Sequence, residues 1–466
     1  MKKKWIGNIV FIFFILILCK IAYCDPVISE YHLDYSIDFD NQQLSCTAGL
    51  IVKKLDKSIL NLLLYYDLKV KSVTDEKGNA YKFEQEVTCF TDFSQMKVNS
   101  IKIYFNKNIL THSPKKIIVK YEGGLHGYIE TGMLYIKDSI DPLFTVLRSD
   151  CIVYPVEGLP SMKDYKIKCL RSFFNYTVSV VVPDTHSVIN GGYLESKERR
   201  NGATVYTYKS ITPVSRIDIT IGNYDTISDG NFHIHYFPKD IEGAQNIITS
   251  YKKVFSLYNR WFGYIDFKGF SIIEIPDGYG SQTNDNYILQ TSSAFIDKKR
   301  IYELYHEISH LWNITCLDEL PCRLESEGLA MLLQFLVMEK LEGMKGHLDE
   351  AAAGMFGYLK EKLRNDPLAF ETPIKEYGKK EITDFSYTKG MLFFYLLYKA
   401  AGEDAFLNTI KKFYSTYRAS GATTEQFADF LVKNLKGERI KKLVDEWIHT
   451  NISSRKILEK DNISEI

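Results

Sequence analysis

The chain has 466 residues, 58 basic and 58 acidic side chains, and 45% hydrophobic content. This length implies several domains, and the hydrophobic share is ordinary for a globular protein. Balanced charge without a basic stripe argues against nucleic acid as a partner, and there is no internal repeat or long low-complexity tract.

Residues 1–24 read as a targeting segment. Lys2, Lys3 and Lys4 give a positive start, residues 9–19 are apolar, and Ala22-Tyr23-Cys24 closes the segment as a cleavage site. Asn8 and Lys20 make the apolar run too short for a membrane span, so membrane association is expected only if the segment stays uncleaved. Tyr23 stands where a lipoprotein signal has a small residue, which argues against lipidation of Cys24. The expected location is secreted or at the cell surface. Without the segment, 54 basic residues face 58 acidic ones, for a net charge of −4. An oxidising compartment permits disulfides among Cys46, Cys89, Cys151, Cys169, Cys316 and Cys322. Sequential pairing is the expectation, with Cys316–Cys322 cinching a short loop. Four glycosylation sequons, at Asn175, Asn313, Asn451 and Asn462, receive no role.

Residues 25–228 read as β. Stretches 31–39, 101–105, 177–182, 205–208 and 217–222 are apolar or alternate, and Glu122-Gly123-Gly124 and Asn190-Gly191-Gly192 mark turns. His233 and His235 share a strand face, and the reading is ordinary strand residues at a domain boundary. A helix is expected over 241–261, a strand over 270–275, a Gly-rich turn from Asp277, and a strand over 287–291.

Residues 295–312 then read as one amphipathic helix, with Ile301, Leu304, Tyr305, Ile308 and Leu311 at helical spacing. It contains His306-Glu307-Ile308-Ser309-His310, an H-E-x-x-H sequence. Residues four apart on a helix share a face, so the two imidazoles can aim at one Zn2+ and Glu307 can serve as base. A structural alternative is a helix with two surface histidines. Asn313 and Cys316 replace the residues of the extended metzincin signature, so a downstream carboxylate is needed as third ligand. Glu327 opens an apolar helix that runs to about Met338 and is the candidate; Glu325 competes, while Asp318 and Glu319 read as solvated. Further helices are expected over 391–398, 405–417, 424–435 and 437–449, with Thr423 as an N-cap.

His306-Glu307-Ile308-Ser309-His310-Leu311-Trp312, followed by Glu327-Gly328-Leu329-Ala330, resembles the zinc core of the aminopeptidase N and leukotriene hydrolase family of gluzincins. Ser326 replaces that family's Asn, and the loop between the ligands is shorter. Tyr387-Thr388-Lys389-Gly390 resembles its Y-x-K-G motif, which implies Tyr387 as an oxyanion donor. The family's G-A-M-E-N glutamate is missing from residues 277–289; Asp285 is the nearest acid and the substrate-binding candidate. The resemblance implies an α+β multidomain chain: a β-sandwich or saddle domain over 25–228, a thermolysin-like, mostly helical catalytic domain over 229–400, and a short helical extension over 401–466. It also implies one Zn2+ on His306, His310 and Glu327, with Glu307 and Tyr387 catalytic, acting on a peptide or protein substrate, in an aminopeptidase-like reaction. Endopeptidase or other hydrolase activity, or a binding protein with a vestigial site, are the alternatives.

Overall fold

A computed structural model describes residues 27–53, 58–105 and 114–466. The targeting segment, with Cys19 and Cys24, lies outside the described residues, as does His112. Among the described residues no helix is long and apolar enough to cross a membrane.

The chain adopts the expected α+β arrangement. Its amino-terminal part is built on a seven-stranded sheet in the order Tyr193–Arg200, Ala203–Lys209, Asn175–Pro183, Ile28–Asp38, Gln43–Val52, Lys115–Gly123 and Lys69–Asp75. Strand alternation drives it: Tyr176, Val178, Val180 and Val182 face inward while the intervening residues do not. A four-stranded sheet containing Ile59–Tyr65 and Phe93–Tyr104 shares the same apolar core. Ile28–Asp38 pairs in parallel with Asn175–Pro183, matching Glu30 to Asn175. Among the described residues one α-helix, Met162–Arg171, interrupts this β region, where the sequence reading expects none. The Ser161 hydroxyl accepts from the Asp164 N–H, and the Asp92 carboxylate accepts from the Met162 and Lys163 N–H groups. A long-range carboxylate thus stabilises a start that local periodicity hides.

A five-stranded sheet follows, in the order Asp225–Asp229, Phe232–Tyr236, Phe270–Ile275, Tyr287–Thr291 and Gln282–Asn284. Its three central strands are parallel, and Gln282–Asn284 runs antiparallel along one edge. Parallel strands covered on both faces read as near-continuous apolar runs, as Tyr287-Ile288-Leu289 does. Helix Ile241–Phe262 contributes to the same core as these strands. The turn at Gly191 abuts this sheet: a Cβ there would fall 1.8 Å from the Tyr287 ring. His233 and His235 bond to the Ser228 and Thr226 hydroxyls, as ordinary strand residues do.

The expected single helix over 295–312 is instead four short pieces: Ser293–Ile296, Lys298–Arg300, Tyr302–Ser309 and His310–Trp312. Asp297 breaks it, because its extended backbone and its carboxylate's bond from the Lys299 N–H close an Asx turn. The H-E-x-x-H helix proper is Tyr302–Ser309, and His310 sits at its carboxyl end in a tighter turn. Downstream, Leu324–Gly328 forms a wide helical turn that leads into Leu329–Leu341. Helix Phe385–Ala401 packs against that wide turn through Gly328 and Gly390, whose added Cβ atoms would meet backbone at 2.7 and 2.8 Å. Thr423 and Gln426 form a full capping box ahead of Thr424–Leu435. His347–Asn365, which the sequence reading leaves without a helix, is amphipathic with Leu348, Ala352, Phe356, Leu359 and Leu363 buried.

The expected disulfides do not form: Cys46, Cys89, Cys151, Cys169, Cys316 and Cys322 are all free. Cys322 turns to the Thr424 hydroxyl at 3.4 Å, and Cys316 to the Asp318 carboxylate. Backbone pairing holds the loop instead. Thr315 O accepts from the Ala422 N–H, Ala422 O accepts from the Leu317 N–H, and Asp318 accepts from the Thr424 N–H at 2.9 Å. Asp318 is therefore a loop anchor, where the sequence reading has a solvated residue.

Candidate metal centre and active site

The short helix Tyr302–Ser309 exists because its apolar stripe, Leu304, Tyr305 and Ile308, is buried. That burial turns the opposite stripe toward a cavity. His306 and His310 project from it with ring centroids 4.8 Å apart and nearly perpendicular planes. The ligand atoms of His306, Glu307 and His310 lie within 4.8 Å of one another.

Glu327 reaches this pair from the wide turn. Its Oε2 is 3.2 Å from His306 Nε2 and 3.5 Å from His310 Nε2. Two ligands each about 2.1 Å from a tetrahedral ion stand roughly 3.4 Å apart, so these separations fit one zinc ion. The donor set, two imidazoles and a carboxylate, is also the chemistry zinc takes. Both Glu307 and Glu327 face the imidazoles, but only Glu327 meets both Nε2 atoms at ligand spacing. Glu307 is held aside by Thr283, whose hydroxyl donates to Oε2 at 2.7 Å. Glu325, the competing carboxylate, is turned toward Cys316 instead.

Burial would raise the Glu327 carboxyl, but the Arg323 guanidinium and the two imidazoles hold it well below the usual carboxylate range. Burial would pull the His310 imidazole down, yet the adjoining Glu327 carboxylate raises it. His310 Nδ1 lies 2.9 Å from the Asn313 side-chain amide. The contacting atom is Asn313 Nδ2, so a half-turn of that amide brings its oxygen to Nδ1–H and leaves the Nε2 lone pair free to ligate.

Tyr387 comes to the same place. Its ring runs parallel to that of His306, with centroids 6.1 Å apart, and lines the same cavity of about 670 Å³. Burial, then the Glu327 charge, raises its phenol, which stays protonated as a donor. Lys389 of the same motif points away, donating to Ser454 Oγ at 2.8 Å. Asp285 sits on the turn after the edge strand, exposed, and lines the cavity. Its carboxylate has no hydrogen bond or ion pair among the described residues, and although the side chain is exposed, the protein crowding the cavity displaces enough water to raise its pKa.

Sequence reasoning misses several residues here. Thr283, Asn313 and Arg323 contact Glu307, His310 and Glu327, yet none belongs to a motif. Asn313 alone carried a signal, one helical step beyond His310. Arg216 joins Asp150, Asp218 and Gln282 along one wall. The buried Arg148–Asp138 pair supports another wall, with Arg148 also donating to the Tyr135 and Tyr279 carbonyls. Some of these contacts are local, but Thr283 to Glu307, Arg216 to Asp150 and Gln282, and Arg148 to Tyr279 join residues 24 to 131 positions apart.

This constellation of two imidazoles, two carboxylates and a phenol can hold a zinc ion and activate water against a carbonyl. Residues 282–447 match the model of the peptidase family M1 domain, in line with the motif resemblance. The fold is similar to the M1 zinc metallopeptidase of Deinococcus radiodurans, at 17% identity and a TM-score of 0.63, covering 91% of this chain and 94% of that one. It is also similar to leukotriene A4 hydrolase of Saccharomyces cerevisiae, at 16% identity and a TM-score of 0.67, covering 92% of this chain and 68% of that one. No curated protein matches the chain in sequence.

Proposed function

We propose that the protein hydrolyses peptide bonds with an aminopeptidase-like preference, using His306, Glu307, His310, Glu327 and Tyr387. The observation that carries this reading is the convergence of Glu327 Oε2 on both imidazole Nε2 atoms, at 3.2 and 3.5 Å. His306, His310 and Glu327 would hold one Zn2+, which when bound polarises a carbonyl and lowers the pKa of water to about 7. Glu307, steadied by Thr283, takes the proton of the attacking water and passes it to the leaving amine. Tyr387 donates its phenolic proton as a hydrogen bond to the carbonyl oxygen as that oxygen gains charge. Asp285, unpaired at the cavity, receives the substrate's free α-ammonium. The Deinococcus radiodurans protein has been solved as a mutant with a Tyr-Ser-Ala substrate bound, which supports a short peptide as the substrate class.

The test is a peptide library offered with free and with acetylated amino termini, with and without chelator. The expected result is cleavage that chelator abolishes, zinc restores and acetylation suppresses. Equal cleavage of acetylated peptides at internal bonds would replace the aminopeptidase with an endopeptidase. No chelator-sensitive cleavage at all would remove the peptidase reading. Export is proposed on the amino-terminal targeting pattern alone, and amino-terminal sequencing of the mature protein tests it.

A further inference from the structure

Arg323 contacts two of the functional side chains at once, and no motif includes it. It stands in the left-handed region, with φ 63° and ψ 17°, directly before the wide turn Leu324–Gly328. L side chains rarely adopt that backbone, and such outliers persist where the surroundings over-determine them. The residue holds Glu327 at both ends. Its carbonyl accepts from the Glu327 N–H at 2.9 Å, and its Nη2 pairs with Glu327 Oε1. The guanidinium also lies over the Tyr387 ring, 5.4 Å from the centroid.

Oε1 engaged by Arg323 leaves Oε2 as the oxygen that faces the imidazoles. A carboxylate fixed in this way presents one oxygen and cannot swing. The flat guanidinium supplies hydrogen-bond donors at its edge and a stacking face for the phenol, which an ammonium cannot do together. Its positive charge opposes a bound cation, so orientation and charge act with opposite sign on metal retention. Partners of metal-ligating carboxylates are worth about 10–100-fold in metal affinity or activity, which makes orientation the larger effect.

Resting on the metallopeptidase reading above, we propose that Arg323 is a positioning residue. It locks Glu327 as a one-oxygen ligand and braces Tyr387 over the reacting carbonyl.

The experiment compares wild type, Arg323→Gly and Arg323→Lys in the full chain loaded with zinc. It reads the rate at which chelator strips the metal, then kcat and KM on a peptide, then the thermal midpoint. Arg323→Gly relieves the left-handed backbone but leaves Glu327 without its cation, so the expected apo protein is folded with a midpoint that is at most modestly lower. Metal loss is expected to quicken by about 10–100-fold, with kcat falling by at least about tenfold and KM staying within about threefold. Arg323→Lys, which keeps the charge without the fork or the stacking face, is expected to resemble the glycine variant. Wild-type metal retention and kcat in Arg323→Gly would overturn the proposal. Tighter metal binding in that variant would also overturn it, by making charge the larger effect. Full rescue by Lys would do the same, and loss of folding in Arg323→Gly would make the residue structural. If wild type neither retains zinc nor cleaves peptides, the metallopeptidase reading fails instead, and the two failures are told apart by the wild-type arm.

Discussion

Gly328→Ala tests how the site is assembled. A Cβ on Gly328 would lie 2.7 Å from Gly390 Cα, 2.9 Å from Gly390 C and 3.0 Å from the Ser386 carbonyl oxygen. Carbon atoms in contact prefer about 3.5–4.0 Å, so the wide turn and helix Phe385–Ala401 must separate by roughly 1 Å. Overpacking of this kind costs about 1–3 kcal/mol. Replacing a helical glycine by alanine returns about 1 kcal/mol. The net loss of stability is therefore small, about 0–2 kcal/mol. The effect on turnover is larger, because Glu327 adjoins Gly328 and Tyr387 lies one helical turn before Gly390. A misplacement of about 1 Å costs roughly 10²-fold in rate. The assay pairs urea unfolding of the apo protein with kcat on a peptide cleaved by wild type. The expected outcome is a modest fall in the unfolding midpoint and a loss of kcat near two orders of magnitude. Wild-type kcat in a folded Gly328→Ala protein would refute the claim that this glycine contact sets the catalytic geometry.

Glu307→Gln should keep its zinc, measured by metal analysis, while turnover falls by about 10²–10⁴-fold. Tyr387→Phe should lower kcat by about 10²–10³-fold with KM little changed, as steady-state kinetics would show. Asp285→Asn should erase the preference for free over acetylated amino termini in paired peptides, and a preserved preference would leave Asp285 without that role. Lys389 is buried, and burial pushes its ammonium down to about 7. The unfolded chain keeps that proton up to about 10.4, so between these values it binds more protons and stability rises with pH. Urea midpoints of wild type should climb from pH 7 to 9 relative to those of Lys389→Met, and parallel pH profiles would contradict this.

The chemistry of this protein is legible in short stretches of sequence. His306, Glu307 and His310 fall within one helical turn, where backbone geometry alone fixes which side chains share a face. Glu327 is legible because a Glu-Gly pair opens an apolar helix, and Tyr387 only through its resemblance to the Y-x-K-G motif. The β region, the parallel core strands and the Thr423 capping box follow from periodicity and local hydrogen bonding, which act over a few residues. The broken helix at Asp297 was not legible, because its apolar spacing continues while a side chain competes for the backbone.

Tertiary structure alone decided the rest. Arg323 gave no signal, since its φ and its contact with Tyr387, 64 positions away, exist only after the helices pack. The helix at Met162 is set by Asp92, 70 positions earlier in the chain. The loop that a Cys316–Cys322 bridge was expected to close is closed by hydrogen bonds to Ala422 and Thr424, a choice no spacing of cysteines reveals. Local sequence names the groups that do chemistry because their spacing is covalent. What holds them at ångström precision is close packing between distant segments, which the sequence carries only in the sum of its contacts.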